Sequence, residues 1–160
     1  MKNKKSISNS SFLSNQAKQA LYYAFLEAKK HKSNVVTSRF LLYGILKVSP
    51  SLLYNIYMNV YESNGLLSQN KDYYITKCKL ALRNQNIENL SIDDSKHIIL
   101  SKSVRDLFKS LINDLKIENS TPGYYKKNYN IITTFLILNQ LLKSENLRTW
   151  FKDEIFLPKK

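Results

Sequence analysis

A chain of 160 residues with 43% apolar content is long enough for one packed domain and too apolar to remain disordered. Three glycines, three prolines, one cysteine and two histidines exclude a glycine-rich phosphate cradle, a disulfide framework and a multi-cysteine or His-rich metal site, and they predict an all-α fold, because sandwiches, barrels and propellers need more turn residues. The net charge of +13, from 25 basic and 12 acidic residues, leaves two explanations open: a polyanionic partner, or the lysine, asparagine, tyrosine and isoleucine excess that an AT-rich genome favours.

Residues 1–11 (MKNKKSISNSS) are basic, polar and short of an apolar stretch. They read as a disordered tail rather than a secretory signal. No apolar run is long enough for a membrane span. Ser14 then opens a helix, with Ala17, Leu21, Ala24 and Ala28 on one stripe of helical period and Lys29–Lys32 closing it with positive charge. A second helix starts at Thr37 or Ser38 and runs to Leu46. Ser49-Pro50 starts a third, with Pro50 in the first turn and Leu52, Leu53, Ile56, Tyr57 and Val60 as its buried face. Asn64-Gly65 is its stop signal, a fourth helix covers 68–84, and Asn84–Asp94 reads as a loop.

The pattern then recurs. Ser101 is followed by Val104, Phe108, Leu111 and Leu115 at the same offsets of 3, 7, 10 and 14 that follow Ser14. Ile131–Leu141 lies over Val36–Leu46, and Ser144 and Leu147 match Ser49 and Leu52. The offset is 87 for the first helix and 95 for the next two, which places eight extra residues between Glu118 and Asn128. The division expected is a tail at 1–11, repeat one at 12–84, a linker at 85–97 and repeat two at 98–157.

Ser14-Asn15-Gln16-Ala17-Lys18-Gln19-Ala20-Leu21 and Thr37-Ser38-Arg39-Phe40-Leu41-Leu42-Tyr43-Gly44-Ile45-Leu46 resemble the first two helices of the N-terminal, double-repeat domain of Clp-family AAA+ chaperones. The resemblance spans about 12–60 and 98–152. It implies two repeats of about four helices related by a pseudo-twofold. It also implies a non-catalytic role, binding unfolded substrates or adaptor proteins for a Clp unfoldase or protease core. A stand-alone plastid relative that docks on the Clp core is the close alternative. A plastid or apicoplast is the compartment expected from the AT-rich composition, the cytoplasm otherwise. In the family, the positions of Ser14, Phe108 and Phe135 lie near an apolar groove. The motif glutamate that holds phosphoarginine in some relatives is replaced by Arg39 and Thr134, so both such pockets are expected to be lost.

The remaining candidates are modest. Cys78 sits between lysines that could activate it, although a lone cysteine is more often a small buried hydrophobe. The tyrosines could stack bases in a basic nucleic-acid-binding protein, the alternative from another class, or could line the core edge. His31, in a lysine run, reads as exposed, and Asp93-Asp94 as a cap. No nucleophile, base and orienting acid occur in a supporting motif, and neither an enzyme nor a cofactor is expected.

Overall fold

The computed structural model describes residues 12–62, 67–84, 98–120 and 131–157. The expectations for the tail, the Asn64-Gly65 stop, the linker, Asp93-Asp94 and Tyr124-Tyr125 lie outside these residues. Among the described residues seven α-helices carry the fold: α1 (Asn15–Lys30), α2 (Ser38–Val48), α3 (Leu53–Tyr61), α4 (Lys71–Ala81), α5 (Lys102–Ser120), α6 (Thr134–Leu141) and α7 (Glu145–Phe151). Short 3-10 turns at Pro50–Leu52 and Leu82–Asn84 lead into α3 and follow α4. None of the described helices is long and apolar enough to cross a membrane.

Side-chain caps set where the helices begin. The hydroxyl or amide oxygens of Ser14, Thr37, Asn70, Ser101, Thr133 and Ser144 each accept from the backbone amide three residues on. Each thereby satisfies one donor that has no partner inside its helix. α1 ends differently. Lys32 takes a left-handed conformation (φ 56°), and the Ser33 amide reaches back to the Ala28 carbonyl at 2.8 Å. That 6→1 bond closes a helix at the cost of a conformation glycine adopts more easily.

α2 is the central element. Every residue from Phe40 to Leu46 is buried. α1 lies against it through Ala17, Ala20, Ala24 and Ala28, all at 0% exposure. These small side chains allow a close backbone approach, and Gly44 completes it. A Cβ at Gly44 would sit 2.1 Å from the Ala20 carbonyl oxygen and 3.2 Å from the Ala24 amide nitrogen. Both are backbone atoms, so the helices themselves would have to move. The matching stripe on α5 is Val104, Leu107, Leu111 and Leu115, likewise buried, so α5 meets α6 through much larger side chains.

The described residues are mostly helical with little strand, as the composition predicts. β1 (Val35–Val36) and β2 (Ile99–Leu100) pair in parallel, and Leu13 forms a second parallel bridge with Ile132. Both contacts are clasps at helix entrances. The Ser14 amide donates to the Ile132 carbonyl at 3.0 Å, and the Ser101 amide donates to the Val36 carbonyl at 3.0 Å. Runs this short have no period-2 signature to announce them.

One expectation changes: α5 continues to Ser120, so any extra loop residues begin after it rather than at Glu118. After α7 the chain makes one wide π-turn, Lys152–Phe156. That turn sets the Phe156 ring 5.4 Å from Tyr57, 5.8 Å from Tyr61, 5.6 Å from Tyr74 and 5.0 Å from Phe151. Those tyrosines therefore line the core edge, as aromatics with one wet end do.

The Gly44→Ala variant tests the central crossing. The added methyl has no space to enter, and overpacking of this kind costs about 1–3 kcal/mol. Urea unfolding should show a lower midpoint with an unchanged slope; a neutral result would mean that the two helices separate freely.

Candidate functional site

Ser14 does two jobs. Its side chain caps α1 by accepting from the Ala17 amide at 3.0 Å, and its own amide holds the Ile132 carbonyl. It therefore stands beside the segment that enters α6. Phe135, on the first turn of α6, is 44% exposed, with Leu136 at 37% and Ile131 at 51%. Phe108 is half-buried on α5 and packs against the core. Ser14 and Phe135 are thus brought to one end of α6. Phe108 is more a core residue than a surface one.

Thr134 and Arg39 are engaged elsewhere. Thr134 is buried, and its hydroxyl lies 3.1 Å from that of Ser49, a hydrogen bond between α6 and the turn that follows α2. The Arg39 guanidinium lies 4.8 Å from the centroid of the Trp150 ring on α7, a cation–π contact. Burial there pulls its pKa below the usual value, and Glu154 acts in the opposite sense.

Within the repeat reading, the caps give a different register. Thr37 and Thr133 cap α2 and α6 and stand 96 apart, not 95. The shorter offset aligned Phe40 with Phe135, yet Phe40 is at 0% exposure and Phe135 at 44%. Counted from the caps, Leu41, Leu42, Ile45 and Leu46 correspond to Ile137, Leu138, Leu141 and Leu142, and all eight are buried. Phe135, not Thr134, then stands opposite Arg39. Neither is a carboxylate.

A polar cleft of about 300 Å³ opens where α2, α5 and α7 begin, with Ser38, Ser103, Asp106 and Ser144 on its rim. Gln140, Leu107 and Leu141 form the rest of its wall. Leu107 lies 87 residues after Ala20, and Gln140 lies 96 after Gly44. Within the repeat reading, the cleft therefore lies beside α5 and α6 at the positions that correspond to Ala20 and Gly44. Its residues lie far apart in the chain and match no motif, so no sequence pattern marks it.

Glu27 was missed as well. It lies on the buried side of α1 between Ala24 and Ala28, at 3% exposure. Its Oε1 is 3.4 Å from Lys30 Nζ and 3.6 Å from Lys79 Nζ, and its Oε2 is 3.5 Å from His31 Nε2. His31 is consequently not a free surface group: its ring lies 5.7 Å from that of Phe40. A carboxylate spaced to face the apolar stripe was the available signal. Burial, with the Glu27 charge adding to it, pushes the Tyr43 hydroxyl up to about 12 and raises the Cys78 thiol as well. Cys78, at 0% exposure, is a core side chain, and its flanking lysines do not activate it.

No family model matches the chain, and no curated protein and no solved structure matches it.

Two measurements check this geometry. Cys78 should resist a thiol reagent in the folded protein at neutral pH and react fully once denatured; rapid labelling would place it at the surface. Glu27→Leu should change stability by less than about 1 kcal/mol. The lysines around Glu27 are 61% and 45% exposed and can turn to water, and replacing a buried charge by an apolar group of similar size is often neutral. A loss above about 3 kcal/mol would show that the carboxylate is the element holding α4 to α1.

Proposed function

We propose that the chain is a non-catalytic recognition domain of the Clp N-terminal type, built from two repeats, which binds unfolded protein segments or adaptor proteins for a Clp unfoldase or protease core. One observation carries the reading. The Ser14 and Ser101 helices, 87 apart, and the Thr37 and Thr133 helices, 96 apart, are joined by reciprocal clasps: Ser14 to Ile132 and Ser101 to Val36. Those two offsets convert one clasp into the other, as a pseudo-twofold requires. The sequence resemblance supplies the rest.

The exposed Ile131, Phe135 and Leu136 are the apolar surface that this role calls for. Apolar contact gains from buried area without demanding a particular sequence, which suits a domain that samples unfolded chains. With Arg39 over Trp150 and Phe135 at the matching turn, neither position offers the paired acceptors that grip a guanidinium. Clients would be gripped by apolar side chains rather than by phosphoarginine.

The test is anisotropy of a labelled, unstructured apolar peptide. Phe135→Ser should weaken binding about tenfold at a stability cost of about 1–2 kcal/mol, since the ring is 44% exposed and only part of a full burial is lost. Phe108→Ala should cost about 1–2 kcal/mol of stability, as expected for a half-buried ring. Unchanged peptide affinity in Phe135→Ser, or no binding by the unmodified chain, overturns the reading.

A further inference from the structure

Lys102, Arg105, Asp106 and Lys109 are all exposed on α5, and their spacing sets them on one stripe of the helix. Lys102 Nζ lies 3.0 Å from Asp106 Oδ2. That bond, with the charges of Lys102, Lys109 and Arg105, holds the Asp106 carboxyl below the usual range. Asp106 stays ionised and paired with Lys102, and with Lys102, Arg105 and Lys109 against one carboxylate the stripe keeps a surplus of positive charge. Asp106 and Ser103 also line the cleft, so the basic ridge and the cleft are continuous.

The cleft offers hydrogen-bond donors, the hydroxyls of Ser38, Ser103 and Ser144 and the Gln140 amide, against an apolar wall of Leu107 and Leu141. Neutral donors beside a cationic ridge suit a carboxylate on a short apolar stem. They suit a cation poorly, because the one acid present already has a partner.

We propose that this cleft and ridge form a second binding site, for acidic peptide segments, with one carboxylate entering the cleft and its neighbours lying along Lys102, Arg105 and Lys109. The proposal deepens the protein-binding reading and rests on it: it adds a preference for acidic clients or adaptors to the apolar contact made at Phe135. A peptide suits the site better than a nucleic acid does. Among the described residues the exposed tyrosines Tyr22, Tyr54 and Tyr73 lie on α1, α3 and α4, so the ridge carries no aromatic platform on which bases could stack.

The experiment titrates the full chain with a labelled Glu-rich peptide, its Gln-for-Glu twin, and a single-stranded oligonucleotide at physiological salt. The acidic peptide should bind and the twin should not. Lys102→Gln, Arg105→Gln and Lys109→Gln together should weaken binding about tenfold. Removing three lysines elsewhere (Lys18→Gln, Lys29→Gln, Lys71→Gln) should change it less than about twofold, because exposed charges at a distance are screened. Ser103→Leu, which fills the cleft without altering net charge, should also weaken binding; these exposed positions tolerate substitution, and thermal unfolding verifies the fold of each variant. Equal losses in the two charge variants would reduce the effect to net charge and overturn the proposal, as would tighter binding of the oligonucleotide. Phe135→Ser should leave acidic-peptide affinity intact. If the unmodified chain binds the acidic peptide but no apolar one, the apolar-groove reading fails while the acidic site stands.

Discussion

The approach of α1 to α2 is the constraint on which the rest of the molecule depends. A carbonyl oxygen 2.1 Å from where the Gly44 Cβ would be means that two backbones touch, and only alanines on α1 permit it. That closeness makes α2 the buried centre: with α1 against it, Phe40 through Leu46 are covered on every side. α4 then closes over the same pair, bringing Cys78 into the core and Lys79 to Glu27. Nothing comparable holds α5 to α6. There the stripe is Val104, Leu107, Leu111 and Leu115, and Gln140 stands where the spacing would put glycine. Larger side chains hold the axes apart, and the cleft beside Ser103 is the space left over. One packing choice, small residues in one pair and large ones in the other, distinguishes the two halves of the molecule.

The polar surface of that second half fits this division. Within the repeat reading, Glu27 corresponds to Asp114 and Tyr43 to Asn139. Glu27 and Tyr43 are buried beneath α4; Asp114 and Asn139 are exposed. An aromatic and a buried acid on the covered face have become an amide and a solvated acid on the open one. Among the described residues of that half the exposed large apolar side chains are Ile99, Ile131, Phe135, Leu136 and Leu157; three of them gather where α6 begins, which makes that turn more informative than an isolated exposed hydrophobe.

Helix positions were legible because caps and apolar period are local. Ser14, Ser101 and Ser144 announce their helices by chemistry that needs no tertiary context, and the stripe from Ala17 to Ala28 follows from a period of 3.6. Within the repeat reading, identical letters align Phe40 with Phe135 whereas the caps Thr37 and Thr133 shift the register by one residue, because side-chain identity says nothing about which face a residue occupies. Glu27 and the cleft escaped for a different reason. A buried carboxylate depends on cations from another helix, and the cleft depends on a side chain that is too large two helices away. The clasps between Leu13 and Ile132 and between Val36 and Leu100 escaped because pairs this short have no pattern of their own.

Those clasps have a consequence for the integrity of the two halves. The helix opened by Ser14 is fastened to the entrance of α6, and the helix opened by Ser101 to the entrance of α2; Phe156, at the far end of the described chain, is wedged among aromatics of α3 and α4. Each half thus keeps part of its backbone bonding in the custody of the other. Severed between β1 and β2, the chain would yield complementary fragments rather than two autonomous modules. Unfolding of either segment would therefore strip backbone partners from the other.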